Sequence, residues 1–256
     1  MNEHPSPKPT EQRGIYDIVF MQLQIMLLDI KQNPTKDLDK REKVKKLIRE
    51  KLDLQELKEI TSPITVLILA SNPKGTTRLD LNEEYNAIDD ELYGGEFRDR
   101  FNLKQRFELK IDNISKHMLR YNPQIVHFSG HGSKVGELIL ADSTGDPQPV
   151  DALAISNLFS VLKDNIRCVV LNSCYSKLQA MLISKYIECV IGMSKAIGDE
   201  AAIKFAQGFY RGIGFGRDLE TAFKLGCAQI DLHGLDEEDT PKLIWKNDEP
   251  KKIILT

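Results

Sequence analysis

Residues 64–69 read ITVLIL, a largely apolar, β-branched run that lies between Ser62-Pro63 and Ser71-Asn72-Pro73. Proline, serine and asparagine are common in turns, so the flanking residues mark both ends of the run. A strand with apolar side chains at every position has both of its faces covered, as in a parallel sheet between two layers of helices. The run therefore predicts a central strand that is buried on both sides.

Similar apolar runs alternate with amphipathic stretches along the rest of the chain. Further strands are predicted at residues 107–111, 125–128, 168–171, 189–192 and 242–245. Helical spacing of apolar residues predicts helices at residues 82–92, 114–121, 153–162, 178–186, 200–210 and 219–230. Strands that alternate with helices imply right-handed crossovers, so we expect an α/β fold with a mostly parallel sheet flanked by helices.

Two features decorate this sheet. Residues 137–140 and 148–150 surround the turn Asp142-Ser143-Thr144-Gly145 and predict a short hairpin. The glycines at 212, 214 and 216 follow a predicted helix rather than a strand, so we interpret them as a helix-to-helix connector and not as a dinucleotide-binding loop.

The N-terminal quarter differs in composition from the rest. Residues 1–13 carry three prolines among polar residues and are predicted to form a disordered tail. Residues 14–62 contain amphipathic helical stretches and are predicted to form a small helical module, regulatory or adaptor-like. Residues 63–256 then form the α/β domain. The second helical stretch is rich in lysine and arginine, which fits a solvated face or a docking surface for an acidic partner.

Composition excludes several classes of function. The chain has 256 residues, with 35 Lys+Arg against 38 Asp+Glu and a formal net charge of −3, so we expect no direct nucleic-acid partner. Its four cysteines show no CxxC pair and no zinc-type spacing, so we expect free thiols, no metal and no cofactor. No stretch is long and apolar enough for a membrane span, and no signal peptide is recognisable, so we expect a cytoplasmic protein without a membrane partner.

Two strand ends carry residues with catalytic potential. Ser129-Gly130-His131-Gly132 follows the predicted strand at 125–128, and Asn172-Ser173-Cys174 follows the strand at 168–171. In open parallel sheets, reactive side chains lie just beyond the carboxyl ends of the strands. We therefore expect His131 and Cys174 to lie close together, each in the segment that directly follows one of two neighbouring strands, with the histidine first in the chain.

These residue types suit a thiol protease. Cys174 precedes a predicted helix, whose N-terminal field favours the thiolate, and the thiolate is the nucleophile. His131 is placed to accept or donate the proton, and backbone N–H groups at Gly132 and Cys174 are candidates for an oxyanion hole. The order of histidine before cysteine resembles the caspase order and reverses that of papain.

Four stretches together resemble the CHAT peptidases, bacterial relatives of caspases and separases. They are ILASNPKGTTRLDLNEEY (68–85), NPQIVHFSGHG (122–132), VVLNSCYS (169–176) and VIGMSKAIGDEAAIKFAQGFY (190–210). The resemblance covers residues 64–243. It implies a caspase-like three-layer fold and a Cys/His dyad protease with Cys174 as nucleophile. It also implies a regulated effector that acts on a protein substrate in bacterial signalling or antiviral defence, with an adaptor that binds through the N-terminal helices.

The same resemblance suggests the substrate-binding residues. The loop that begins at Met193, Ser194, Lys195 and Ala196 is expected to lie beside the bound peptide. Asp199 is a further candidate, although N-capping a helix that starts at Glu200 is the preferred interpretation. Asp142 would orient His131 or line a pocket, although a turn-forming role is preferred.

Other readings stay open at this point. A catalytically silent member of the fold would bind a partner protein in the same cleft, and a nucleotide sensor on a doubly wound sheet is a weaker third hypothesis. Cys168, Cys189 and Cys227 are interpreted as small buried hydrophobic residues. His127 is interpreted as a core histidine, because no carboxylate completes a metal-binding set with His131.

Overall fold

A six-stranded sheet forms the centre of the computed structural model, which describes residues 62–256. The predicted tail and nearly all of the predicted N-terminal helical module lie outside the described residues. The strands of this sheet are β1 Ile64–Ala70, β2 Phe101–Arg106, β3 Ile125–Ser129, β7 Cys168–Asn172, β8 Cys189–Met193 and β9 Pro241–Trp245. Their order across the sheet is β2-β1-β3-β7-β8-β9, and in this sheet β9 alone is antiparallel to its neighbour.

A second sheet of three short antiparallel strands follows β3. Its strands are β4 His131–Gly132, β5 Leu138–Ala141 and β6 Pro147–Val150, and β5 and β6 form the predicted hairpin. Because β4 begins two residues after the end of β3, this small sheet lies against the carboxyl edge of the large one.

Within residues 62–256, six helices connect the strands. They are α1 Leu81–Tyr93, α2 Ile114–Tyr121, α3 Ala152–Leu162, α4 Lys177–Ile183, α5 Asp199–Gly214 and α6 Leu219–Leu232. Short 3₁₀ turns lie at Arg98–Arg100, Ile111–Asn113 and Lys246–Asp248. Within this described part of the chain, none of the helices has both the length and the apolar character that crossing a bilayer requires.

The helices cover both faces of the sheet, which gives three layers. Alternate residues of a strand point to opposite faces, so Val66 and Ile68 of β1 pack with α1, α5 and α6, whereas Leu67 and Leu69 pack with α2, α3 and α4. All seven residues of β1 are buried. The doubly covered central strand predicted from residues 64–69 is therefore confirmed.

The second strand is not where the sequence predicted it. The apolar run at 107–111 predicted a strand, but β2 is Phe101–Arg106, an edge strand whose six residues are all only half-buried. An edge strand has a polar, partly solvated pattern, which hides it from a search for apolar runs. Leu109 is apolar for another reason. It is buried in the core between the sheet and helices α2, α3 and α4, and its N–H donates to the Ala70 carbonyl at 2.9 Å.

The predicted glycine connector was also partly wrong. Gly212 and Gly214 lie inside α5, and only Gly216 belongs to the connection, with a positive φ of 67°. A Cβ on Gly212 would lie 2.7 Å from the Cα of Ala222 in α6. The glycine is thus needed for close packing of two helices rather than for a turn. Helix α4 also ends at Ile183, earlier than the predicted 186.

Candidate active site

His131 and Cys174 follow two neighbouring strands of the large sheet. Strands β3 and β7 are parallel, and their last registered pair is Ser129 with Asn172. His131 comes two residues after Ser129, and Cys174 comes two residues after Asn172. The topology therefore brings both residues to the same edge of the sheet, as the sequence predicted.

The segments that carry His131 and Cys174 are in direct backbone contact. A Cβ placed on Gly132 would lie 1.9 Å from the carbonyl oxygen of Cys174 and 3.0 Å from its carbonyl carbon. Upstream, the N–H of Gly130 donates to the carbonyl of Asn172 at 3.4 Å. Only a residue without a side chain fits at position 132, so this glycine sets how closely the histidine segment approaches the cysteine segment.

The two reactive side chains are both half-buried. Nε2 of His131 is buried and, among residues 62–256, has no hydrogen-bond partner. The thiol of Cys174 donates to the carbonyl oxygen of Ile197 at 3.7 Å. Within the described part of the chain, the imidazole thus has one unpaired nitrogen, and the thiol has one long hydrogen bond.

The chain turns sharply directly after the cysteine. Tyr175 has a φ of 55°, in the left-handed region that a bulky side chain seldom adopts. Its N–H donates to the carbonyl oxygen of Lys195 at 3.1 Å. This bond and the thiol contact join the cysteine turn to the loop that follows β8.

That loop contains the predicted substrate-binding residues. Ser194, Lys195 and Ala196 are exposed, and both the N–H and the hydroxyl of Ser194 donate to the Thr240 carbonyl, at 2.9 Å and 3.0 Å. Met193 differs from them, because its side chain is fully buried in the apolar core at the end of β8. The loop therefore contacts the cysteine turn through Lys195 and Ile197, whereas Met193 contributes only to the core.

Asp199 does not cap the next helix. Helix α5 begins at Asp199, its N-cap is Gly198, and no side chain caps it, so the preferred N-cap interpretation was wrong. The carboxylate instead accepts from the N–H of Asp80 at 2.9 Å. Asp199 also lines a cavity of about 800 Å³ between this helix start and the loop after β1. The wall includes Asn72, Arg78, Asp80, Phe107 and Glu108.

Asp142 lies in the hairpin turn between β5 and β6. Its carboxylate accepts from the N–H and the hydroxyl of Thr144, at 2.8 Å and 2.7 Å, and from the N–H of Asp146 at 2.9 Å. The Thr144 hydroxyl, followed by the Asp146 N–H, lowers the pKa of this exposed carboxyl. These are the hydrogen bonds of a turn-forming aspartate, and none of them reaches His131.

The remaining cysteines lie in different surroundings. Cys168 and Cys189 are buried neighbours on β7 and β8, with sulfur atoms 4.0 Å apart. The hydrogen bond from Cys168, together with burial, raises the pKa of the Cys189 thiol. Burial raises the pKa of Cys227 to about 11. Neither thiol has the thiolate character that a nucleophile needs near neutral pH.

A buried acidic residue at this edge was missed in the sequence. Glu84 of α1 is 5% exposed, and its carboxylate contacts His127, Ser129 and Asn172. His127 is thereby a hydrogen-bonded core histidine, and among the described residues no group of three potential ligands could hold a metal ion. The available signal was the position of Glu84, which falls on the same helical stripe as the buried Leu81 and Ile88.

Comparisons with known proteins identify the family and the fold of this chain. The family model described as CHAT domain matches residues 70–245. A Roc-COR-CHAT protease from an unknown prokaryotic organism is 24% identical over 172 residues, which are 64% of this chain and 16% of that protein. A protein named "Probable protease" from Gillisia limnaea is 24% identical over 192 residues, 73% of this chain and 33% of its own length. The chain thus spans a third or less of either relative.

A solved structure shares the fold. The secreted C11 cysteine protease from Bacteroides thetaiotaomicron, in complex with an irreversible peptide inhibitor, superposes with a TM-score of 0.54. The match is 10% identical and covers 73% of this chain and 67% of that one. The predicted caspase-like α/β fold, with a mostly parallel sheet between helices, is confirmed.

Proposed function

The chain belongs to the CHAT domain family, and from this premise we propose that it is a cysteine endopeptidase that uses His131 and Cys174 to cleave a protein substrate. The observation that carries the proposal is the contact between the histidine and cysteine segments, where a Cβ on Gly132 would lie 1.9 Å from the Cys174 carbonyl oxygen. It supports the proposal because the two residues, which are distant in the chain, follow neighbouring parallel strands.

The proposed reaction starts with a proton transfer. The thiol leaves the Ile197 carbonyl by rotation and gives its proton to Nε2 of His131, the nitrogen without a partner. The sulfur then attacks the scissile carbonyl carbon, and the backbone N–H groups of Gly132 and Cys174 stabilise the oxyanion. His131 returns the proton to the departing amine, which leaves a thioester on Cys174. Water, deprotonated by His131, hydrolyses that thioester and restores the thiol.

We assign substrate binding to the exposed loop at Ser194, Lys195 and Ala196 and to the cavity beside Asp199. The loop is fixed at three points, since Ser194 is bonded to Thr240, Lys195 to Tyr175, and Gly198 to the carboxylate of Glu237 at 3.0 Å. A rigid exposed loop next to the nucleophile suits an extended peptide, which binds chiefly through its backbone. The cavity of about 800 Å³ is large enough for one side chain of that peptide.

We propose that this activity belongs to a regulated effector in the bacterial cytoplasm, in signalling or antiviral defence. The supporting observation is similarity to a Roc-COR-CHAT protease, of which this chain corresponds to 16% of the length. The natural partners are then a protein substrate and an adaptor that binds residues 14–62.

The test is to map cleavage in a proteome-derived peptide library. The parent chain, Cys174→Ala, His131→Ala and a control, Cys227→Ala, are incubated with the library, and new peptide ends are identified by mass spectrometry. We expect a shared set of cleavage sites from the parent and Cys227→Ala and none from the other two. Identical cleavage by Cys174→Ala would refute the proposal.

The second candidate is the silent interaction module that binds a protein in the same cleft. The observation that favours it is the hydrogen bond from the thiol to the Ile197 carbonyl, since this bond occupies the hydrogen that an active dyad would transfer to His131. This candidate is supported if the parent cleaves nothing in the library while it binds partner peptides, and if binding is unchanged in Cys174→Ala.

A further inference from the structure

The buried carboxylate of Glu84 contacts the ends of the two strands that precede His131 and Cys174. Glu84 of α1 is 5% exposed, and its Oε1 accepts from Nε2 of His127 at 2.9 Å and from Nδ2 of Asn172. Its Oε2 accepts from the hydroxyl of Ser129 at 2.5 Å. Three donors compensate the cost of burying this acidic group, so it is a satisfied part of the interior.

The positions of two of these donors connect the carboxylate to the dyad. Ser129 and Asn172 are the last registered pair of β3 and β7, and each lies two residues before a dyad member. Oε2 of Glu84 binds Ser129 of β3, and Oε1 binds both His127 of β3 and Asn172 of β7. The carboxylate therefore bridges the strands at the point where the histidine and cysteine segments leave the sheet.

Outer contacts hold the carboxylate in one orientation. A carboxylate only accepts hydrogen bonds, so Nε2 of His127 carries the hydrogen. Nδ1 of the same ring is hydrogen-bonded to the hydroxyl of Tyr210, 3.1 Å away. Asn172 uses its second amide hydrogen on the Ala202 carbonyl at 3.1 Å. Two of the three donors around Glu84, His127 and Asn172, are thus oriented by contacts with α5.

Within the described residues, two polar side-chain atoms at the end of β7 have no partner of their own. The Oδ1 atom of Asn172 and the hydroxyl of Ser173 are buried and have no partner within residues 62–256. The backbone bond from Gly130 to Asn172 is long, at 3.4 Å. The bond from Asn172 to Glu84 therefore restrains the end of β7 together with the Asn172 bond to Ala202 and the bond from the Ser176 hydroxyl to the Leu171 carbonyl at 2.8 Å.

We propose that Glu84 is a positioning residue, which sets the distance and orientation between the His131 and Cys174 segments through Ser129 and Asn172. It does not touch the substrate. Its effect on catalysis rests on the proposed function, but its effect on the reactivity of the Cys174 thiol does not, because alkylation measures that reactivity without a peptide.

A matched pair of variants separates geometry from charge. In Glu84→Gln the amide oxygen still accepts from His127 and Asn172, and the amide N–H₂ donates to the Ser129 hydroxyl, which reverses its role. Glu84→Met has a similar length but accepts nothing. Gln124→Ala is the stability control, since the side chain of Gln124 accepts from the N–H of Thr65 at 2.6 Å at the opposite end of the sheet.

The experiment uses the full chain at a temperature where every variant is folded. Iodoacetamide alkylation of Cys174 is timed by mass spectrometry, and kcat and KM are measured on a peptide from the cleavage map. Glu84→Met is expected to lose about tenfold or more in kcat, with KM within about threefold, because a misplacement of a fraction of an ångström is enough. Its alkylation rate at Cys174 is expected to change by about threefold or more. Glu84→Gln and Gln124→Ala stay within about threefold of the parent in both.

Several outcomes decide the proposal. A folded Glu84→Met with parental kcat and alkylation overturns it, and so does a Glu84→Gln that is as defective as Glu84→Met, since charge rather than geometry would then matter. If Glu84→Met does not fold, Ser129→Ala, which removes one arm of the bridge, decides by the same criteria. If the parent cleaves no peptide, the proposed function fails, and alkylation alone decides the role of Glu84.

Discussion

Replacing Gly132 with alanine tests the contact on which the active-site geometry depends. The added Cβ would lie 1.9 Å from the Cys174 carbonyl oxygen. Close C···O contacts in proteins are about 3.3 Å, so the two segments must separate by about 1.4 Å. Gly132 does not have a positive φ, so the backbone conformation itself suits alanine and the clash is the only new effect.

The size of the effect follows from that displacement. A misplacement of about 1 Å in a catalytic constellation costs about 10²-fold in rate. Overpacking costs about 1–3 kcal/mol, which corresponds to a fall of about 2–12 °C in Tm for a domain of this size. Gly132→Ala should therefore lose most of its activity while it still folds.

The assay compares kcat/KM and thermal unfolding for the parent, Gly132→Ala and a matched control. The control is Gly94→Ala at the end of α1, where an added Cβ would lie 3.1 Å from the Asp90 carbonyl oxygen. We expect about a hundredfold loss in kcat/KM for Gly132→Ala and less than about threefold for Gly94→Ala. Parental activity in Gly132→Ala would refute the claim that this contact positions the dyad.

Three further predictions use other parts of the domain. With its pKa raised to about 11, Cys227 is protonated at neutral pH, so its alkylation rate should rise about tenfold per pH unit between pH 7 and 10; a plateau below pH 9 would contradict this. Asp218 caps α6 by accepting from the Thr221 N–H at 3.0 Å, and Asp218→Ala should cost about 1 kcal/mol at pH 7 in denaturant unfolding. Burial raises the pKa of Asp218, but the hydrogen bonds from Thr221 outweigh burial, so the net pKa is lowered. The loss of stability in Asp218→Ala should therefore be complete above about pH 4 and shrink as the pH falls below it. A loss that stays constant down to about pH 2 would be inconsistent with this capping role. Glu237→Ala removes the acceptor for the Gly198 N–H and should raise KM by about threefold or more with kcat little changed; an unchanged KM would exclude a role for this tether in substrate binding.

The sequence predicted the buried part of the fold well, because burial leaves a pattern. Strands β1, β3, β7 and β8 are continuous apolar runs, and each was predicted to within one residue of its end. The edge strand β2 was missed because its sequence, FNLKQR, mixes apolar, polar and charged residues that are all half-buried, so it contains no apolar run. Long-range packing also hid the true end of α5, whose glycines resemble a loop in the sequence and are a helix contact in the structure.

The same contrast holds at the candidate site. His131 and Cys174 could be predicted because both directly follow apolar strands, and strand ends meet at one edge of a sheet. Glu84 could not be assigned a role, since its partners His127, Ser129 and Asn172 become neighbours only after the sheet and α1 have packed together. The hydrogen bond from Asp80 to Asp199, which replaced the expected helix cap, is likewise a contact between segments 119 residues apart.

The central claim is that His131 and Cys174 act as one unit, and a double-mutant cycle tests it most directly. The measurement is kcat/KM on one mapped peptide for the parent, His131→Ala, Cys174→Ala and the double variant. Residues that act in one step are strongly non-additive, so each single variant should lose about 10³-fold or more and the double variant should be no worse than either. A His131→Ala variant that keeps more than about a tenth of the parental activity, or losses that simply multiply in the double variant, would contradict the account.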